Sequence, residues 1–204
     1  MKGIIAGPTS CGKSTFTTRF LKYLDEMVDK PISEVIYCAP EKSYPDLAEC
    51  GTPVRYLDWL PNAEMFGDKK NRLVIIDDMM RESDEGVVDL FTKHSHHLSV
   101  SVIFICQNIF HKGKGQRDIS LNSHYIVAYK SPRDRGQFAI LARQICPGNT
   151  QYANETFADA TKNPYGYLLL DLTQTTPDHL RYRTNIFPDD KPANIVCTSK
   201  TIHF

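Results

Sequence analysis

A glycine-rich segment near the N-terminus constrains this chain more than any other feature. The apolar residues 3–6 run directly into GPTSCGKST, in which residues 7–14 match the pattern G-x-x-x-x-G-K-S. A helical pattern follows, with apolar side chains at Phe16, Phe20 and Leu24. A strand, this loop and a helix in succession form the context in which the pattern indicates a phosphate-binding loop. We therefore expect an α/β protein built around this loop.

The residue types in the loop explain how it would bind phosphate. Its two glycines let backbone N–H groups converge on phosphate oxygens, and the start of the helix adds a positive potential. Lys13 would reach the β- and γ-phosphates, and the hydroxyl of Ser14 would bind Mg²⁺. The expected ligands are therefore ATP and Mg²⁺. The residues predicted to contact the nucleotide are Gly7, Pro8, Thr9, Ser10, Cys11, Gly12, Lys13, Ser14 and Thr15.

Further apolar runs alternate with helical patterns along the chain. Strands are predicted at residues 3–6, 34–38, 73–76, 101–106, 124–129 and 167–172, and helices at about 13–29, 85–97, 134–144 and 149–161. The strands are continuous apolar runs, which is typical of a mostly parallel sheet with helices on both faces. Residues 39–72 are predicted to form loops with short helical pieces, and residues 111–118 a polar loop. We expect one domain over residues 1–204, with a core at about 2–172 and a polar tail at 173–204.

Two of the predicted strands end in polar residues. The run LVII is followed by Asp77 and Asp78, and the run VIFIC is followed by Gln107. Ligands bind at the carboxyl ends of parallel strands, so Asp77 is predicted to hold the Mg²⁺ shell and Asp78 to activate the attacking water. Gln107 would reach the γ-phosphate or the water, with Asn108 as the second candidate and an exposed loop start as the alternative. The alternative is an aspartate pair that only caps the next segment.

Composition excludes several classes of protein. The 204 residues include 24 Lys and Arg and 24 Asp and Glu, so bulk positive charge does not provide nucleic-acid binding. No apolar run approaches the roughly 20 residues of a membrane helix. The six cysteines form no C-x-x-C pair, so a zinc ribbon is not indicated and a reducing compartment is expected. The N-terminal residues show no signal-peptide pattern, and we expect that the protein is not secreted.

A longer segment narrows the choice among proteins with this loop. Residues 116–145 read QRDISLNSHYIVAYKSPRDRGQFAILARQI. Together with GPTSCGKST, LVIIDDMM and VIFICQN, this segment resembles the viral DNA-packaging ATPases of the FtsK–HerA superfamily over about residues 2–172. The likeness is to the poxvirus-type group, which large DNA viruses, virophages and the virus-like Polinton and adintovirus elements share. Many members carry a glutamate at the position of Asp78.

The resemblance implies a fold, an activity and partners. The fold would be a RecA-like P-loop NTPase, and the activity an ATP-driven translocation of double-stranded DNA into a capsid. The partners would be viral capsid or portal proteins and further copies of the chain in a ring of five or six subunits. No membrane is required. The location would be the host nucleus, a cytoplasmic virus factory or the virion.

Ring motors complete their site with an arginine from the neighbouring subunit. Arg117 is the preferred candidate for this role, followed by Arg135, and Arg133 also fits by position. The basic loop at residues 111–116 would line the pore and contact DNA phosphates. An ordinary polar loop is the alternative interpretation of this segment.

Two other functions are compatible with the sequence. A small P-loop kinase for a nucleoside or metabolite would have a similar length, although the chain shows no Arg-rich lid segment. A nucleotide-binding assembly module without hydrolysis would keep the loop, and Asp78 leaves that alternative open. DNA-stimulated hydrolysis would indicate the motor, dependence on a small acceptor would indicate the kinase, and ATP binding without turnover would indicate the module.

Overall fold

The strands of the protein form one mixed sheet. A computed structural model describes residues 1–40, 44–68, 70–79, 84–94, 98–109, 116–134, 136–192 and 195–196. Within these ranges the strands are β1 (Lys2–Ala6), β2 (Glu34–Cys38), β3 (Val54–Leu57), β4 (Arg72–Asp77), β5 (Val100–Cys106), β6 (Tyr125–Tyr129), β7 (Tyr167–Asp171), β8 (Tyr182–Thr184) and β9 (Ile195–Val196). Their order across the sheet is β3-β2-β4-β5-β1-β6-β7-β8-β9.

The helices connect these strands. They are α1 (Lys13–Lys22), α2 (Leu24–Met27), α3 (Asp84–Asp89), α4 (Gln116–Leu121), α5 (Gly136–Ile145) and α6 (Thr150–Ala160). A π-helical turn at Leu90–His94 continues α3, and 3₁₀ turns lie at Ala63–Phe66 and Asp178–Leu180. Within the described part of the chain, no helix has the length and apolar character that crossing a membrane requires.

Strand β1 lies between β5 and β6, and all three run parallel. The parallel arrangement extends through β4 and β2 to β3. Strand β7 then pairs antiparallel with β6, so that Tyr129 at the end of β6 lies opposite Tyr167 at the start of β7. The carboxyl ends of β4, β5, β1 and β6 and the amino end of β7 therefore share one edge of the sheet, where ligands bind in parallel α/β folds.

Successive residues of the inner strands point to opposite faces of the sheet. Ile4 and Val74 belong to a buried cluster that includes Phe138 and Leu141 of α5. Ile5 and Ile75 belong to a second cluster, which includes residues of α1 and α2. Apolar side chains are therefore buried on both faces, which explains why the strand sequences are continuous apolar runs. The α/β class, the mostly parallel sheet and the helices on both faces are confirmed.

Several element boundaries differ from the predictions. The helix predicted at residues 13–29 is two helices, because it is interrupted at Tyr23 and the backbone is extended at Val28. The predicted helix at 85–97 ends its α-helical part at Asp89 and becomes π-helical, and residues 95–97 lie outside the described ranges. The region 39–72, predicted to be loops with short helical pieces, contains the 3₁₀ turn at Ala63–Phe66 but also β3 at the sheet edge.

The C-terminal segment is part of the folded unit. The predicted polar tail contributes β8 and β9, which extend the sheet beyond β7. Phe187 is fully buried against α1, with its ring centroid 5.0 Å from that of Phe16. These strands are two or three residues long, and their few apolar side chains provide no strand pattern in the sequence.

Candidate functional site

The glycine-rich loop lies where the sequence predicts it, between the end of β1 and the start of α1. The N–H of Gly7 donates to the carbonyl of Cys106 over 3.2 Å, which ties the start of the loop to the end of β5. Within the loop, two residues have positive φ, namely Ser10 at 63° and Gly12 at 108°. The second of these conformations favours glycine, and Gly12 immediately precedes the first residue of α1.

A glycine at position 7 is required by close packing. A Cβ on this residue would lie 2.6 Å from Cβ of Tyr129 and 2.7 Å from Sγ of Cys11. Tyr129 is buried at the end of β6, and its hydroxyl donates to the carbonyl of Gly12 over 3.3 Å. Tyr129 therefore contacts both glycines of the motif and supports the loop from the β6 side.

The side chain of Lys13 reaches across the loop. Its Nζ donates to the carbonyls of Gly7 at 2.7 Å and Pro8 at 2.9 Å. The ammonium group thus lies beside the backbone of the loop, where its charge would meet phosphate oxygens. The hydroxyl-bearing residues of the loop and the first turn of α1 are exposed: Thr9, Ser10, Ser14 and Thr15.

Asp77 ends β4 at the same edge of the sheet. Its Oδ2 accepts a 2.7 Å hydrogen bond from the hydroxyl of Tyr37, which lies in the neighbouring strand β2. Burial is the main cause that raises the pKa of the Asp77 carboxyl above its usual value, and the negative charge of Asp78 raises it further. The hydrogen bond from Tyr37 and the positive charge of Lys13 lower this pKa and so oppose the shift. Asp77 therefore lies at the same sheet edge as the loop that carries Lys13.

Asp78 and Gln107 also follow strand ends at this edge. Asp78 is exposed and has a φ of 53°, so the chain turns sharply after β4. Gln107 is exposed and directly follows Cys106, the residue whose carbonyl accepts the Gly7 N–H. Strand order therefore brings the loop, Asp77, Asp78 and Gln107 to one edge. Their catalytic roles stay predictions.

The donor set at this edge fits a magnesium ion shared with phosphates. Asp77 offers a carboxylate at the end of β4, and the exposed hydroxyl of Ser14 follows Lys13 at the start of α1. One hydroxyl, one carboxylate and phosphate oxygens match the preference of Mg²⁺ for few protein ligands. In the described ranges, no group of three or more His, Cys, Asp or Glu side chains forms a metal site of its own.

Two of the candidate arginines, Arg117 and Arg133, are exposed, and the third lies outside the described residues. Arg117 is exposed in the first turn of α4, in a segment predicted to be a loop at 111–118, and Arg133 is exposed before α5. Among described residues, no hydrogen bond or ion pair connects Arg117 to the loop. Arg135 and the basic residues 111–115 lie outside the described ranges. A role for either arginine in a neighbouring subunit stays a prediction.

Tyr37 and Tyr129 contact residues of the site, although the sequence did not predict this role for them. Each is near the carboxyl end of a predicted strand, and this position is the signal that could have found them. Tyr37 belongs to the strand next to β4, and Tyr129 to the strand next to β1. The order of the strands is what brings Tyr37 into contact with Asp77 and Tyr129 into contact with the loop.

Comparison with known proteins supports the fold. No family model matches the sequence, and no curated protein matches it. Solved structures of the genome packaging NTPase B204 from Sulfolobus turreted icosahedral virus 2 are similar, in complexes with AMP, ATP-gammaS and AMPPCP. Each is 14% identical, and the match covers 86% of this chain and 94% of the viral chain, with TM-scores of 0.52, 0.54 and 0.55. The chain therefore has a P-loop NTPase-like α/β fold.

Proposed function

We propose that this protein is an Mg²⁺-dependent ATPase that drives double-stranded DNA into a viral capsid as a homo-oligomeric ring. The observation that carries the proposal is that the Lys13 loop and Asp77 lie at the same edge of the sheet. The fold shared with a viral genome packaging NTPase supports the packaging role. The neutral net charge suits a subunit whose DNA contacts are confined to one local segment, such as residues 111–116.

Each side chain has a distinct part in the proposed reaction. The backbone N–H groups of the loop and the ammonium of Lys13 bind and orient the triphosphate. Ser14 and Asp77 would hold the magnesium ion, which neutralises charge on the β- and γ-phosphates when bound. Asp78 accepts a proton from the attacking water, and Gln107 orients that water or the γ-phosphate. An arginine of the neighbouring subunit, for which Arg117 is preferred, stabilises charge in the transition state.

The test is steady-state ATP hydrolysis with and without linear double-stranded DNA, at micromolar protein and saturating Mg²⁺. The expected result is turnover that DNA stimulates and that Lys13→Ala reduces at least a hundredfold. Lys22→Ala is the matched control, because this exposed lysine lies on the same helix and pairs with Glu49 at 2.7 Å. Size-exclusion chromatography coupled to light scattering measures ring formation under the same conditions.

Three outcomes would count against the proposal. Full turnover in Lys13→Ala would exclude the loop as the catalytic site. Turnover that requires a small acceptor and ignores DNA would favour a kinase. Binding of ATP without turnover, with or without DNA, would favour an assembly module.

A further inference from the structure

The turn that leads into β7 lies beside the phosphate-binding loop. A Cβ on Gly12 would lie 3.5 Å from both Cβ and Cδ1 of Tyr165, so the Tyr165 ring packs next to this glycine. The same Gly12 accepts the hydrogen bond from Tyr129, which lies opposite Tyr167 in the sheet. The β6–β7 side of the loop is therefore bounded by an aromatic side chain at its outer edge.

Tyr165 is held in an unusual backbone conformation. The turn has the sequence Asn163-Pro164-Tyr165-Gly166, and the N–H of Gly166 donates to the carbonyl of Asn163 over 3.1 Å. Proline at the second position and positive φ at the third are features of a type II turn, whose third residue is normally glycine or asparagine. Here it is a tyrosine with a φ of 62°. Strained residues of this kind cluster at ligand sites.

The turn is fixed, although its tyrosine is exposed. A Cβ on Gly166 would lie 2.6 Å from the carbonyl oxygen of Ala160, so the end of the turn is closely packed against α6. The side chain of Tyr165, in contrast, is 72% exposed, more than any other large apolar or aromatic side chain among the described residues. A rigid backbone thus presents an aromatic ring to solvent, directly beside the loop.

A cavity of about 270 Å³, with both polar and apolar groups in its lining, adjoins this ring. Its lining includes Asn163 and Tyr165 of the turn, Arg19 of α1, and Thr184 and Asn185 at the end of β8. Amide and hydroxyl groups of this kind can donate to and accept from the edges of a base or the hydroxyls of a ribose. Tyr165 links the cavity to the loop, because it lines the cavity and also packs next to Gly12.

The direction in which a bound nucleotide would lie across the loop indicates on which side its nucleoside would be. Asp77 ends β4 and Gln107 follows β5, and these two strands lie on one side of β1, whereas Tyr165 precedes β7 on the other side. If the γ-phosphate and the metal are held on the β4–β5 side, the nucleoside must leave the loop on the β6–β7 side. This step rests on the function proposed above.

We propose that Tyr165 is the base-stacking residue of a nucleoside subsite, which the turn at residues 163–166 and the cavity beside it form. The aromatic ring would stack on the nucleobase of the bound nucleoside triphosphate, and the polar groups of the lining would receive the ribose and the base edge. Tyr165 is then a specificity-determining residue that separates nucleotides from other polyphosphates.

The experiment compares two probes by isothermal titration calorimetry with Mg²⁺. ATP-gammaS engages the loop and the proposed subsite, whereas inorganic tripolyphosphate engages only the loop. Tyr165→Ala is expected to weaken ATP-gammaS binding about tenfold, as loss of base stacking does, and to leave tripolyphosphate binding within about twofold. Tyr165→Phe keeps the ring and is expected to bind both probes as the wild type does.

Two further variants control for folding and for nonspecific effects. Tyr165→Gly removes the ring while relieving the positive φ, so it reports on stacking even if Tyr165→Ala is poorly folded. Trp59→Ala removes a 55% exposed aromatic side chain close to β3, at the far edge of the sheet, and is expected to change neither affinity.

The outcomes separate this proposal from the function on which it rests. Wild-type protein that binds neither probe overturns both. Wild-type protein that binds the two probes equally overturns the subsite and retains the phosphate loop. The subsite is also overturned if Tyr165→Gly loses affinity for both probes equally or binds both as the wild type does. A variant that differs from the wild type only in oligomeric state overturns it as well.

Discussion

The hydroxyl of Tyr37 donates a 2.7 Å hydrogen bond to Oδ2 of Asp77, and this contact joins the ends of two neighbouring parallel strands. Tyr37 is fully buried, and burial together with the Asp77 charge raises the pKa of its phenol. The phenol therefore stays protonated and remains a donor throughout the working pH range. It fixes the orientation of the carboxylate that we propose as a magnesium ligand and favours its ionised form.

Tyr37→Phe is expected to weaken magnesium binding. Loss of a hydrogen bond to a metal-binding carboxylate typically costs about 10–100-fold in metal affinity or activity. Because this hydrogen bond lowers the pKa of Asp77, its removal raises that pKa, and the acid limb of the activity profile moves to higher pH. The measurement is the Mg²⁺ dependence of turnover, or of ATP-gammaS binding, over a pH series.

Tyr56→Phe is the matched control for this change. Tyr56 lies in the next strand, and its hydroxyl donates to the carbonyl of Pro45 over 3.2 Å, at the protein surface. We expect this variant to keep the wild-type Mg²⁺ and pH profiles. An unchanged acid limb in Tyr37→Phe would show that ionisation of Asp77 does not control activity.

Asp77→Asn is expected to abolish activity and to stabilise the nucleotide-free protein above about pH 4. The folded-state pKa of Asp77 is raised, mainly by burial, so ionising this carboxyl costs more in the folded than in the unfolded chain. Stability is therefore lost as pH rises from the ordinary carboxyl pKa of about 4 through the raised value. An asparagine can accept the Tyr37 hydrogen bond without that cost.

The measurement is thermal unfolding of both proteins in nucleotide-free buffer between pH 4 and pH 8. The unfolding midpoint of Asp77→Asn should exceed that of the wild type at pH 8, and the difference should shrink towards pH 4. Turnover should fall at least about a hundredfold, because a metal ligand is lost. A variant that is less stable than the wild type at pH 8 would mean that Asp77 contributes structural contacts beyond its charge.

Gly7→Ala is expected to distort the loop. The added Cβ would lie 2.6 Å from Cβ of Tyr129, an atom fixed to the backbone of β6 that cannot swing aside. Overpacking of this kind typically costs about 1–3 kcal/mol, and the loop would have to move to relieve it. We expect at least a tenfold loss of ATP-gammaS affinity, measured by calorimetry.

Gly148→Ala provides the comparison for Gly7→Ala. A Cβ on Gly148 has no heavy atom within 4 Å, so the same chemical change meets open space. This variant should bind ATP-gammaS and unfold as the wild type does. Equal affinities in the two variants would show that the loop tolerates a side chain at position 7.

The sequence predicts the central part of this fold because local pattern and local structure agree there. Apolar runs such as the one at residues 101–106 are buried on both faces and appear as strands. Strand β3 escapes detection because Arg55 and Tyr56 are exposed at the sheet edge, and a four-residue edge strand needs no apolar run. The break at Tyr23 is also hidden, because apolar helical spacing continues to Met27 across it.

The site is predictable only where its residues are close together in the sequence. Residues 7–14 carry their own signal, since a single turn supplies the glycines, the lysine and the hydroxyl. Tyr37, Tyr129 and Tyr165 come from three distant segments and meet the loop or Asp77 through the strand order. The order of the strands in the sheet cannot be read from a local sequence pattern. Nothing in the sequence therefore distinguishes these three tyrosines from other tyrosines in or near strands.

The C-terminal segment is expected to be essential for stability because it covers α1. The Phe187 ring is 1% exposed, and the guanidinium of Arg19 lies 4.2 Å from its centroid. Arg19 also donates to Asp190 over 2.8 Å, which fastens the segment to the helix that follows the loop. Phe187→Ala should cost about 3–5 kcal/mol and lower the unfolding midpoint by roughly 10 °C.

Arg19→Ala tests the polar part of the same contact. Its pair with Asp190 is partly exposed and solvent weakens it, so a smaller loss of about 1 kcal/mol is expected. Leu121→Ala, which truncates a 66% exposed side chain at the end of α4, should leave the midpoint unchanged. Differential scanning calorimetry of the three variants measures this ranking. A Phe187→Ala midpoint within 2 °C of the wild type would show that the segment contributes nothing to the stability of the folded domain.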